Sequence, residues 1–159
     1  SGAGLNALQT IRRNLANNAW EAFTPAAGID YFNTTTGTGA TLDVTLVKPT
    51  ANTWRNLAVS YTGSFSNVAG GNVSVAFTWQ TAPVAGNALV NGATLGRGNG
   101  GQLIGIANTD DSIAPTWSFE GAVDPALVST NSIVVRATVT YAGVATILSG
   151  NFAAKGSYA

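Results

Sequence analysis

Glu21, Asp30, Asp43, Glu120 and Asp124 are the scattered residues of this chain best equipped for chemistry. Two carboxyl groups, one protonated and one ionised, can cleave a glycosidic bond without any histidine. Local spacing brings no two of these five together, so the sequence offers the acids but no placed pair. The rest of the usual repertoire is closed to a single subunit, because the 159 residues include no histidine, no cysteine and no methionine. Neither a Ser–His–Asp triad, a Cys–His dyad nor a His/Cys metal site can be assembled from what remains. The expectation is a protein that is not an enzyme, with no catalytic, cofactor-binding or metal-ligating residues and no cofactor.

Three further patterns invite chemistry. Asp110-Asp111 could chelate a hard cation with help from carbonyl oxygens, but adjacent acids beside Asn108-Thr109 read more simply as a turn. Gly96, Gly98 and Gly101 fit G-x-G-x-x-G, a spacing that binds dinucleotides only when a helix follows at once. The following Gln102-Leu103-Ile104-Gly105-Ile106-Ala107 is short and β-like, so the segment is expected to be a loop or contact tip. Trp20, Trp54, Trp79 and Trp117 could stack on sugar rings. Trp79 and Trp117 fall within alternating segments, where core packing is the commoner use, which leaves Trp54 as the candidate exposed aromatic. The sequons at Asn33 and Asn72 carry little weight in a chain so rich in Asn, Ser and Thr.

The elements that must position these residues follow from periodicity. Leu5, Leu8, Ile11, Leu15 and Ala19 recur at three- and four-residue intervals, predicting an amphipathic helix or arm over residues 1–23 that ends near Thr24-Pro25. Leu5, Leu8, Ile11 and Leu15 form its packing stripe and are the candidate interface. Thr34 to Gly39 reads as a Thr/Gly loop. From residue 40 onward the period is two: Leu42, Val44 and Leu46; Leu57, Val59 and Tyr61; Val73, Val75, Phe77 and Trp79. Thr116–Glu120, Ser132–Tyr141 and Val144–Ala153 continue in the same style, with Ala142-Gly143 predicted to close a tight hairpin between the last two. The fold class expected is mainly β: one domain, an antiparallel β-sandwich or jelly roll of about eight strands with the N-terminal helix on one face or edge.

Composition constrains partners. Charged residues make up 9% of the chain and cancel to a formal net charge of zero, against about a quarter charged in an ordinary globular protein. A free monomer with so little charge has weak protection against self-association. That is a liability for a solitary protein and an asset for a subunit that sits among copies of itself. Arg12 and Arg13 are the only adjacent cations and the candidate nucleic-acid contact; one such pair gives weak direct binding or none. No apolar run is long enough to span a membrane.

Two stretches carry a family resemblance. Asn52-Thr53-Trp54-Arg55-Asn56-Leu57-Ala58-Val59-Ser60-Tyr61-Thr62-Gly63 leads through a Ser-rich turn to Gly70-Gly71-Asn72-Val73-Ser74-Val75-Ala76-Phe77. It resembles the paired strands in the jelly-roll shell domain of coat proteins of small icosahedral positive-strand RNA viruses, tombusvirus-like ones in particular. Ser132 to Tyr141 is similar to the penultimate strand of such shells. The resemblance implies a capsid subunit located in the virion, whose partners are copies of itself and other virion proteins. The same composition also suits a phage tail-tube or decoration protein, or an extracellular pilus-type filament subunit. A carbohydrate-binding β-sandwich is the alternative of a different class.

Overall fold

The computed structural model describes residues 10–13, 20–23, 29–67, 71–89, 96–102, 104–106, 115–141 and 145–159. In chain order these form β1 (Thr10–Arg13), β2 (Trp20–Phe23), β3 (Ile29–Gly37), β4 (Thr41–Val47), β5 (Trp54–Asn67), β6 (Gly71–Trp79), β7 (Gly96–Gly98), β8 (Ile104–Ile106) and β9 (Thr116–Ala122). A short 3-10 turn at Pro125–Leu127 follows, then β10 (Ser132–Tyr141) and β11 (Ala145–Tyr158). Asp124 caps the 3-10 turn, its Oδ1 accepting from the Ala126 N–H at 2.9 Å.

Alternation does what the period-two segments require. Along β4 every second residue is buried, Leu42, Val44 and Leu46; along β6 the buried set is Val73, Val75, Phe77 and Trp79. Each strand therefore has one apolar face that must meet another sheet. β1 and β2 form a two-stranded ladder of their own, and from β3 onward the strands sort into two antiparallel sheets, a four-stranded one in the order β4-β10-β6-β8 and a five-stranded one in the order β3-β11-β5-β9-β7. Among the described strands from β3 onward, none pairs with its neighbour in sequence; successive strands alternate between the two sheets. The pairings are nested instead: β3 with β11, β4 with β10, β5 with β9 and β6 with β8. Two further ladders, β11 with β5 and β10 with β6, roll this nested hairpin into a sandwich.

The sheets share one core. Phe77 from the four-stranded sheet stacks on Phe152 from the five-stranded sheet, with ring centroids 5.8 Å apart. Tyr61, Phe65 and Trp117 fill the far end of the five-stranded sheet's inner face, and Trp54 meets Tyr158 edge-on at 5.5 Å. Gly37, Gly150 and Gly63 lie opposite one another across β3, β11 and β5. Glycine is required at Gly150, where a Cβ would sit 2.5 Å from the Tyr61 Oη and 2.9 Å from the Gly37 carbonyl oxygen. The row of missing side chains is the space into which the Tyr61 ring is laid.

Three expectations are corrected. The described parts of the predicted N-terminal helix are strands: β1 and β2 form an antiparallel ladder with Thr10 opposite Phe23 and Arg13 opposite Trp20. Thr10-Ile11 and the aromatic Trp20 and Phe23 are β-favouring residues, and the three- and four-residue spacing of the leucines does not override them there. Leu5, Leu8 and Leu15 lie outside the described residues. The predicted Thr/Gly loop is the second half of β3, which runs to Gly37 before a bend. Finally, β10 and β11 are not a hairpin, for each buries its apolar face from the opposite sheet.

β3 and β4 meet at a corner where an open sheet edge would otherwise be exposed. The Asn33 Nδ2 donates to the Thr45 carbonyl at 2.9 Å, and the Thr35 hydroxyl donates to the Asp43 carbonyl at 2.7 Å. Side chains of one sheet thus occupy backbone acceptors along the other sheet's edge, and a free edge is what strand-to-strand aggregation needs.

Candidate functional site

With the apolar faces committed to the core, chemistry has to come from the outer faces. On the five-stranded sheet the register sets one row across all its strands: Phe32 on β3, Lys155 on β11, Ala58 on β5, Glu120 on β9 and Arg97 on β7. Phe32 is 63% exposed, an unusual placement for a large aromatic. Lys155 also reaches Asp30 in the adjoining row at 3.6 Å. Because Ala58 is small, Lys155 and Glu120 stand apart around a shallow hollow of about 200 Å³, lined also by Asp30, Asn56 and Ser157. The neighbouring outward positions, among them Ser60, Thr62, Thr116 and Ser118, carry small hydroxyl side chains on exposed or half-exposed backbone.

Two of the carboxylates singled out from the sequence, Asp30 and Glu120, therefore line one hollow. They stand on strands that are not neighbours in the sheet. Three strand spacings separate β3 from β9, placing the two backbones roughly 14 Å apart. That backbone separation is wider than the 5–9.5 Å or so between the carboxyl groups of a glycosidase. Among the described residues no cluster of three or more metal-ligating side chains occurs.

Among the described residues, the four-stranded sheet's outer face carries the ion pair Asp43 with Arg136, directly opposite in register. It is bidentate, Arg136 Nε to Oδ1 at 2.6 Å and Nη2 to Oδ2 at 2.8 Å. These hydrogen bonds, with the guanidinium charge behind them, hold the Asp43 carboxyl below its ordinary range and push Arg136 further up. Planar, two-bonded geometry of this kind fixes strand register more than it adds stability at an exposed position.

Among the residues whose burial is described, Lys48 is the buried charged one, 3% exposed. Its ammonium faces the carbonyls of Pro49 and Ser129 and the Asn131 Oδ1, each at 3.5 Å. It ties the end of β4 to the segment entering β10, a clamp rather than a reactive amine.

Trp54, expected to be exposed, is 1% exposed, and its indole N–H donates to the Thr130 carbonyl at 2.7 Å. The inward phase of β5 and the edge-on contact with Tyr158 take it into the core. Trp79 and Trp117 are also fully buried, so none of Trp54, Trp79 and Trp117 offers a stacking face to a sugar. Arg12 and Arg13 lie on β1, opposite Glu21 and Trp20 in register, with Ile11 beside them. The glycine motif is not followed by a helix: Gly96–Gly98 is β7, Gly101 takes a φ of +80°, and the chain enters β8. Asp110 and Asp111 lie outside the described residues. At the first sequon the Asn33 side-chain amide donates to the Thr45 carbonyl.

The row through Lys155, Ala58 and Glu120 was not visible in the sequence, where its neighbouring members are 97 and 62 positions apart on separate strands. Outward phase could be read locally, but the register of β11, β5 and β9 is set by rolling the whole chain. No family model matches this chain, nor does any curated protein or solved structure.

Proposed function

We propose that the chain is a self-assembling structural subunit of a virus particle, a coat protein that acts by contact with copies of itself in the virion. The observation that carries this reading is the strand order. Pairing β3 with β11, β4 with β10, β5 with β9 and β6 with β8 is the nested order of an eight-strand jelly roll, with β7 as an added edge. That architecture serves viral capsids, lectins and cupins. Cupin-type metal chemistry draws on histidine, which this chain lacks, and Trp54, Trp79 and Trp117 are committed to the core. A subunit that works by packing needs only neutral, self-compatible surfaces, and the outer faces here are built of Ser, Thr, Asn and Ala with few charges.

Interface energy in such a particle comes mainly from area removed from water, at about 25 cal/mol per Å² less the cost of ordering. The purified chain, concentrated near neutral pH and viewed by negative-stain microscopy, is expected to form closed particles of uniform size. Tubes or filaments would move it to the tail-tube or pilus class. Isolated monomers that retain a sugar on a glycan array would replace the reading with a lectin.

A further inference from the structure

We infer that the outer face of the five-stranded sheet is a two-fold contact between copies of this chain, centred on Ala58; this rests on the self-assembly reading and specifies one of its interfaces. The argument is the symmetry of the row Phe32, Lys155, Ala58, Glu120, Arg97. Ala58 is its midpoint, with Lys155 and Glu120 each one strand spacing away, about 4.8 Å, on opposite sides. A two-fold axis lying in the plane of the contact, along β5 and over Ala58, turns the second copy face down and exchanges the two sides. Each Lys155 then stands over Glu120 of the second copy, and each Phe32 over the position of Arg97. Within one copy Lys155 has only the loose, exposed pairing with Asp30 at 3.6 Å; two copies add Glu120 of the second copy to each Lys155, the self-complementarity an isologous interface demands.

Size and shape agree. Five strands about 4.8 Å apart and some nine residues long present a face of about 600–700 Å², close to the ~800 Å² per partner of a standard specific interface. The adjoining outward residues Ser60, Thr62 and Ser118 are small enough for two sheets to approach to the ~10 Å of aligned packing. The hollow of about 200 Å³ over Ala58 receives the charged head groups that would otherwise hold the faces apart. Copies are favoured over a foreign partner because the charge pattern matches itself under one rotation.

The test exploits the same symmetry. Lys155→Glu and Glu120→Lys are made separately in the full chain, both at exposed positions, and association is followed by sedimentation velocity and native mass spectrometry. Each variant alone places like charges opposite one another twice and is expected to associate ten- to a hundredfold more weakly than wild type. Mixing the two variants opposes a doubly acidic face to a doubly basic one, and is expected to give a heterodimer at least as tight as the wild-type pair. Circular dichroism identical to wild type shows that the fold is intact. If the wild type assembles and both single variants assemble equally well, this face is not the contact, although self-assembly stands. Loss in the single variants without recovery in the mixture overturns the two-fold pairing. A wild type that stays monomeric at every concentration overturns self-assembly and this contact together.

Discussion

Tyr61 shows how closely residue-scale chemistry follows from the glycine row. Its hydroxyl is buried without a hydrogen-bond partner, and burial raises the phenol's pKa above its ordinary value. An unsatisfied buried hydroxyl is a standing cost of about 1–3 kcal/mol. Tyr61→Phe is therefore expected to leave stability unchanged or raise it by about 1 kcal/mol in urea denaturation. Gly150→Ala, which drives a methyl group to within 2.5 Å of that oxygen, should cost about 1–3 kcal/mol by overpacking. The two are coupled: Gly150→Ala should cost less in the Tyr61→Phe background, though not nothing, since the Gly37 carbonyl oxygen also lies 2.9 Å from the new Cβ. Additive costs would show that the hydroxyl does not occupy the glycine row. Asp43 gives a pH dependence. Its folded pKa is depressed, so its contribution is full above about pH 4 and is lost as pH falls through the folded value. At side-chain exposures of 42% for Asp43 and 36% for Arg136, screening limits the effect to about 0.5 kcal/mol. Arg136→Met should flatten the acid limb of a stability–pH curve by that amount; an unchanged curve would mean the pair contributes nothing.

Elements were legible where one face is strongly apolar and obscure where it is not. β4, β5 and β6 bury the residues their alternation predicts. β3 escaped because its inward positions from Asn33 onward, Asn33 and Thr35, are polar; they hydrogen-bond to the β4 edge instead of filling the core. A strand whose inner side chains cap a neighbour's backbone carries no hydrophobic signal. The prediction at this scale is that Asn33→Ala and Thr35→Val each cost about 0.5–1.5 kcal/mol and speed amide exchange at the β4 edge. Full protection in the double variant would show that the corner is sealed by something else. The expected β10–β11 hairpin failed for a related reason. Ala142-Gly143 does punctuate the chain, but loop composition does not distinguish a turn within a sheet from a crossing between sheets.

At the scale of the whole molecule, the sequence carried the class of fold and the paucity of reactive groups, while the row centred on Ala58 awaited the register of β3, β11, β5, β9 and β7. That register arises from nested, long-range pairing, which no local window contains. The same nesting leaves two broad outer faces rich in Ser, Thr and Asn with a few charges, and surfaces of that kind gain more from a copy than from water only if those charges are matched. The most direct measurement is the sedimentation of the intact, purified chain over a hundredfold range of concentration near neutral pH. The account predicts a concentration-driven shift from monomer to one discrete larger species, changed little by salt because buried area and not charge supplies most of the energy. A single monomeric boundary across the whole range would contradict it.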